Sequence, residues 1–321
     1  MHIRLITPAP PKSRAGNRAT ATRWADILRK LGHRVEISTD YEGKPADIMI
    51  ALHAWRSAGA IQQFADRYPE KPLIVVMTGT DAYRFIHSHP EITLNSISLA
   101  DHLVGLHSLI ANTVPTEYRD KMHVIYQSAK PVARRHLYKK YFHVSVIGHL
   151  RDEKDPLRVA YAVRGLPSES RIQVHHFGKP ITPVWRKKVV AEVSRNHRYR
   201  WHEEIAHYRI RQIYQRTQLL VLPSRMEGGA NVISEAVAAG VPVIASDIEG
   251  SVGLLGKDYA GYYPVGNTAA LKKLLMRAEN DVEFYRQLEK SCLAKQRMFL
   301  PEQESQGWKD LLDKIQLGVS R

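Results

Sequence analysis

Apolar residues along this chain gather in short runs, 2–7, 35–38, 48–52, 73–77, 143–148, 172–177, 219–222 and 241–245, each of strand length. Between them the apolar positions often recur every third or fourth residue. In 20–31, Trp24, Ile27, Leu28 and Leu31 line one side and Gly32 follows as a stop, so the segment reads as a helix. Helices are also expected from the end of 48–52 to Tyr68, and over 185–195, 206–215, 269–276, 282–299 and 306–315. Shorter strands fall near 102–106 and 123–126, and 251–256 reads as a glycine turn. Strands alternating with helices predict an α/β protein with parallel sheets covered on both faces, and ligands at the carboxyl ends of the strands. Segment 143–148 repeats the character of 2–7, and a basic loop follows each. The chain therefore divides into two Rossmann-like halves, residues 1–132 and 138–300. The polar stretch 131–140, with Arg134, Arg135, Lys139 and Lys140, reads as the link between them.

The segment after 219–222 carries the richest chemistry. From Ser224 it runs S-R-M-E-G-G-A-N-V-I-S-E-A, and Gly240 and Pro242 precede the next strand. Gly228 and Gly229 let the backbone approach a ligand closely. The first N–H groups of the helix that follows, with its dipole, suit a phosphate or a sugar hydroxyl. Asn231 is expected as the N-cap. Glu227 stays on the loop and Glu235 on the first turns of the helix, so the pair can grip polyol groups at both ends of a nucleotide sugar. Two carboxylates alone also fit a helix-capping loop in any α/β domain.

Among the 321 residues the formal net charge is +15, which favours anionic partners such as phosphate compounds, nucleic acid or an acidic membrane surface. The single cysteine, Cys292, excludes an internal disulfide and suits a reducing, cytoplasmic setting. The apolar start, Ile3 to Ile6, is too short for a signal peptide, and no run approaches the ~18 apolar residues of a spanning helix. There is no Asp-x-Asp. The histidines of His202-Glu203-Glu204-Ile205-Ala206-His207 stand five apart, whereas a helical zinc pair needs four, so no metal is expected. Arg186, Lys187, Lys188, Arg195, Arg198 and Arg200 read as a solvated helix face; no nucleic-acid module accompanies them, and no nucleic-acid partner is expected.

The pattern E-G-G-x-N-x-x-x-E-A-x-x-x-G-x-P, carried by Glu227, Gly228, Gly229, Asn231, Glu235, Ala236, Gly240 and Pro242, resembles the signature of the retaining glycosyltransferase family 4. The resemblance implies the GT-B fold, with two Rossmann-like domains facing a central cleft and a C-terminal helix, 301–321, packing back on the first. It implies a metal-independent enzyme with a nucleotide-sugar substrate and no cofactor. Glu227 would bind the donor sugar's hydroxyls and Glu235 the ribose. The backbone of Gly228, Gly229, Ala230 and Asn231 would meet the sugar and phosphates. Gly148-His149-Leu150-Arg151-Asp152-Glu153-Lys154 is similar to the family's Gly-Arg-Leu with a lysine five residues after that arginine. Lys154 falls in register and would offset charge on the departing diphosphate. His149 stands where arginine is usual; either Arg151 supplies the missing charge or His149 serves as a weaker donor.

The rim of the first half has its own candidates. Gly16, Asn17 and Arg18 open the first helix among Lys12, Arg14 and Arg23, and read either as an anion site for an acceptor or as a basic surface loop. Arg18 is the best single choice. His53 and Arg56 follow a buried strand and could hold an anionic acceptor, although a lone histidine is more often structural. Thr78-Gly79-Thr80-Asp81 resembles the His-Gly-Ser-Asp loop of many family 4 members, which places Thr80 and Asp81 at the acceptor; an ordinary turn capped by Asp81 is the alternative.

A narrower resemblance spans almost the whole chain. Thr7-Pro8-Ala9-Pro10-Pro11, Gly16-Asn17-Arg18, Ala51-Leu52-His53, Thr78-Gly79-Thr80-Asp81, Ile125-Tyr126-Gln127-Ser128, Gly148-His149-Leu150-Arg151 and Gly250-Ser251-Val252-Gly253-Leu254-Leu255-Gly256 are similar to the bacterial selenosugar synthases of selenoneine biosynthesis. That implies transfer of a sugar, typically N-acetylglucosamine from UDP-GlcNAc, to selenophosphate with formation of a carbon–selenium bond. A family 4 enzyme with a lipid or saccharide acceptor at the inner membrane is the first alternative. A noncatalytic nucleotide-sugar binding protein is the second, and the complete Glu-x7-Glu argues against it. Membrane contact is not expected but stays open.

Overall fold

The computed structural model describes residues 1–13, 16–133 and 140–318; Arg14, Arg134, Arg135 and Lys139, singled out above, lie outside them. The chain forms two compact units. The first comprises Met1–Gln127, Glu227–Gly229 and Pro301–Arg321; the second comprises Ser128–Met226 and Ala230–Leu300.

In the first unit, β1 (His2–Ile6), β2 (Arg34–Ser38), β3 (Ile48–Leu52), β4 (Leu73–Val76), β5 (His102–Gly105) and β6 (Met122–Val124) form one sheet in the order β2-β1-β3-β4-β5-β6. Every pairing is parallel. Strands buried on both faces need apolar residues at every position, and β3 shows it. Ile48, Ile50 and Leu52 enter one core layer, while Met49 and Ala51 enter the other. The helix Gly16–Lys30 supplies Ala21, Trp24, Ala25 and Leu28 to the first layer. Trp308, Leu311, Leu312 and Ile315 of the helix Pro301–Gly318 join them there. Trp24 meets Trp308 edge-on, with ring centroids 4.8 Å apart. Beside the rings, Glu304 is buried, accepting from Trp24 Nε1 at 2.6 Å and from Arg23 Nε at 2.9 Å. A carboxylate is tolerated at such depth only when paired in this way.

In the second unit, β7 (Phe142–Ile147), β8 (Ile172–Phe177), β9 (Tyr199–Trp201), β10 (Leu219–Leu222), β11 (Val243–Ser246) and β12 (Tyr262–Tyr263) form a parallel sheet in the order β12-β11-β10-β7-β8-β9. From β9 to β12, this is the dinucleotide-fold order 3-2-1-4-5-6 with β7 as strand 1. Strand order reverses between β7 and β10 here, and between β1 and β3 in the first unit. Ligands of such sheets sit beyond the carboxyl ends of the strands at these points.

Several local expectations are corrected. Residues 251–256 do not form a glycine turn: Glu249–Leu255 is helical, and Gly256, at φ 90°, closes it. Burial of Leu254 and Leu255 outweighs the low helix propensity of Gly250 and Gly253. Asn231 is not the N-cap. Ala230 holds that extended position and Asn231 is the first helical residue. The last helix starts at Pro301, whose missing N–H is harmless in a first turn. Helices Pro90–Leu99 and Arg158–Val163 were not foreseen. Among the described residues, no helix is long and apolar enough to cross a membrane.

Candidate active site

In the second unit the strands flanking the reversal carry both loops singled out in the sequence. Gly148 to Lys154 leaves the end of β7, and Pro223 to Ala230 leaves the end of β10. Arg225 N donates to Glu153 O at 2.8 Å and ties one loop to the other. Asp152–Lys154 makes a single 3-10 turn, ended by Asp155 in the left-handed region at φ 42°. Arg158 Nε holds the Asp155 carboxylate at 2.8 Å, fixing that unusual conformation. The Lys154 side chain passes over Gly148: a Cβ built there would meet Lys154 Cδ at 3.9 Å. Arg151 projects into solvent, with Nε 3.9 Å from Glu153 Oε2.

His149 is half-buried. Its Nδ1 accepts from Lys179 N at 3.4 Å and its Nε2 lies 3.6 Å from Glu204 Oε1. Burial lowers its pKa, with Lys179, Arg151 and Lys154 adding to the effect against the pull of Glu204. The imidazole is therefore neutral near pH 7. With Nδ1 accepting, the neutral ring keeps its proton on Nε2, so both readings left open stand: Arg151 as the supplied charge and His149 as a weaker, uncharged donor.

Beneath the loop, His176 is enclosed completely. Its Nε2 lies 3.1 Å from Gly148 O and its Nδ1 2.7 Å from Tyr199 Oη, and burial lowers its pKa to about 4. Since a carbonyl only accepts, Nε2 carries the proton and Nδ1 accepts from the tyrosine. Gly178 lies alongside, and a Cβ there would collide with the Gly148 carbonyl. On the other loop, the helix Asn231–Ala238 begins where the chain leaves β10, and Ile233 N donates to Ala230 O at 2.9 Å in its first turn. Glu235 is held from behind: Tyr214 Oη lies 3.1 Å from Glu235 Oε2 and 3.1 Å from Val232 O. Tyr214 is buried, and its hydroxyl is kept protonated by burial and by the neighbouring carboxylate. Ser246 Oγ donates to Ser224 O and pins the start of the same loop. Asp155, Arg158, His176, Gly178, Tyr214 and Ser246 escaped the sequence reading because they act on other residues and belong to no signature. The one signal available in the sequence is the pair His175-His176 at the end of β8.

In the first unit, His53 adopts φ 77° directly after β3. Its Nδ1 accepts from Arg56 N at 3.2 Å, so the Nε2 proton points to Thr80 Oγ1 at 2.9 Å. Burial lowers its pKa against the opposing pull of Asp81. Asp81 is wholly buried: one oxygen accepts from Thr78 N and Thr78 Oγ1, at 2.8 and 2.6 Å, and the other from Ala54 N at 2.9 Å. The carboxylate therefore locks the loops after β3 and β4 together. Asp81 is a positioning residue and presents no free face to an acceptor. Arg56 is exposed, and Trp55 stacks on Phe85 at 4.0 Å. Gly16, Asn17 and Arg18 form the first turn of the helix after β1. Among the described residues, Arg18 Nη1 and Thr7 Oγ1 are buried without hydrogen-bond partners.

Of the loop after β10, residues 227–229 belong to the first unit. Glu227 is buried. A Cβ on Gly79 would stand 2.8 Å from Gly228 N, and one on Gly228 would collide with Gly79 in turn. Gly229, at φ 131°, packs against Leu106 as closely. Backbone thus lies on backbone where Glu227 is presented, which explains the glycine pair physically. Among the described residues, no group of three His, Cys, Asp or Glu side chains could hold a metal ion.

Comparison with known proteins adds a family. Glycosyl transferases group 1 matches residues 131–292, half of the chain and nearly all of the second unit. A search of curated proteins found no match. Among solved structures, HepE of Anabaena, in complex with UDP and glucose, superposes with TM-score 0.78 at 14% identity, covering 98% of this chain and 100% of its own. Sucrose-phosphate synthase from Thermosynechococcus elongatus gives TM-score 0.80 at 15% identity, with 99% of each chain covered. The pneumococcal O-GlcNAc transferase GtfA, in complex with UDP and GlcNAc, gives 0.65 at 15%, covering 93% of this chain and 60% of that one. The fold is GT-B, and the chain belongs to the glycosyl transferases group 1 family.

Proposed function

We propose that this glycosyltransferase takes its sugar, N-acetylglucosamine, from UDP-GlcNAc and delivers it to selenophosphate. The observation that carries the donor half is the convergence of the Gly148–Lys154 and Pro223–Asn231 loops on the strand-order reversal of a 3-2-1-4-5-6 sheet. The UDP held by HepE and by GtfA, on the same fold, supports it. Glu235 takes the ribose hydroxyls, braced by Tyr214. The N–H groups at the start of Asn231–Ala238 and the cations Lys154 and Arg151 receive the diphosphate. Glu227 orients the sugar, with the backbone of 228–231 beside it. As the bond from anomeric carbon to diphosphate oxygen breaks, UDP leaves with the electron pair. Positive charge already in place stabilises that developing anion without reorganisation.

The acceptor half rests on the narrower resemblance and on Arg18, whose buried, unpartnered Nη1 suits a multiply charged anion. Arg56, exposed beside the His53–Thr80 pair, is the second cation assigned to it. Selenium attacks the anomeric carbon and the carbon–selenium bond replaces the bond to UDP. Incubation with UDP-GlcNAc and selenophosphate, followed by mass spectrometry, is expected to give UDP and a selenium-containing sugar. UDP release with saccharide or lipid-linked acceptors but not with selenophosphate would replace this acceptor. Absence of UDP release with every acceptor would leave only a binding role.

A further inference from the structure

The helix Pro183–Arg195 covers β8 and β9 with few of its residues. Only Val189 and Glu192 are buried. On its outer side and in the residue pair before it, Ile181 is 50% exposed, Val184 59%, Val190 52% and Val193 40%. These are branched aliphatics held in water by an ordered element, where a solvated helix would carry polar groups. The cations Lys187 and Lys188 stand among them, and Lys188 Nζ rests 4.6 Å over the Trp185 ring. The single carboxylate of the helix, Glu192, is turned inward, where it pairs with Arg164 and Arg195 and accepts from Asn196 Nδ2 at 2.9 Å. The exposed acid Glu203 is engaged by Arg186 of the helix at 3.1 Å. The outward surface thus presents aliphatic and cationic groups, with its own acid withdrawn.

We infer that this helix is a docking surface for an anionic lipid bilayer, lying flat with Val184 and Val190 at the headgroup boundary and the lysines on lipid phosphates. Charge complementarity selects that partner: a chain of net charge +15 is drawn to a negative surface, and the short valine side chains reach the interface without spanning it. Ile181 N donates to Leu150 O at 3.1 Å, so the surface starts beside the loop after β7, but Val184, Lys187, Lys188 and Val190 lie on the helix itself and have no role assigned at the donor or the acceptor. The inference therefore holds whichever acceptor is used.

The test is co-sedimentation of the full chain with vesicles of phosphatidylcholine alone and of phosphatidylcholine mixed with phosphatidylglycerol. Binding is expected to the mixed vesicles only, and to weaken as salt is raised. The double variant Lys187→Gln/Lys188→Gln should weaken it by on the order of tenfold or more. Val184→Ser/Val190→Ser should weaken it too, while UDP binding and the thermal midpoint stay at wild-type values in both. No sedimentation of the wild-type chain with mixed vesicles, or equal sedimentation of both variants, would overturn the inference. Self-association that disappears in Val184→Ser/Val190→Ser, with no vesicle binding, would reassign the face to a second copy of the chain.

Discussion

Glu235 and Lys154 are both proposed to meet the donor, but they are expected to fail differently when removed. Tyr214→Phe deletes the hydroxyl that braces Glu235. A hydrogen bond to a charged group contributes about 1.5–3 kcal/mol, so the Michaelis constant for the UDP-sugar should rise by about tenfold or more with kcat little changed. Lys154→Ala removes charge that counts most as the diphosphate departs, and should lower kcat by on the order of a hundredfold. Equal effects of the two changes on both constants, measured by steady-state UDP release, would contradict this division. The histidines give a second expectation at this scale. Burial is the leading cause that holds His107, His123, His175 and His176 at about 4 in the folded chain against an ordinary 6.5. Between those values the unfolded chain binds more protons than the folded one. Stability is therefore fully present above the ordinary histidine range and falls steadily as pH drops from about 6.5 towards 4. Urea midpoints measured across that range check it; a midpoint that rises on acidification would refute it.

At the scale of elements, the close approach of the turns after β7 and β8 makes a sharp contrast between neighbouring glycines. Gly178→Ala forces a methyl into the Gly148 carbonyl and should cost about 1–3 kcal/mol and weaken UDP binding. Gly148→Ala meets only the Lys154 stem at 3.9 Å and should leave stability nearly unchanged. Chemical denaturation of the pair reads the difference directly. In the first unit, Trp308→Ala opens a cavity against Trp24 and should cost about 3–5 kcal/mol, seen as a lowered denaturation midpoint. The sequence made some elements plain and hid others for identifiable reasons. Strands such as Ile48–Leu52 and Leu219–Leu222 were legible because burial on both faces leaves an unbroken apolar run. Glu249–Leu255 was not, because two glycines mask a helix that only tertiary burial stabilises. The loops bearing Lys154 and Glu227 were legible as chemistry, since glycines and charges cluster there. The supports beneath them were not: Tyr214 and His176 lie 21 and 28 positions from their partners Glu235 and Gly148, and nothing local marks the pairing.

For the whole molecule, two sheets of six parallel strands each place their reversal of order where the functional loops begin. The family fixes glycosyl transfer; the donor site proposed for this chain draws on the loops that leave β7 and β10. Isothermal titration of the full chain with UDP tests that claim most directly. The account predicts one site per chain, with affinity reduced at least about tenfold in both Lys154→Ala and Glu235→Gln. Undetectable binding to the wild-type chain, or unaltered affinity in both variants, would contradict it.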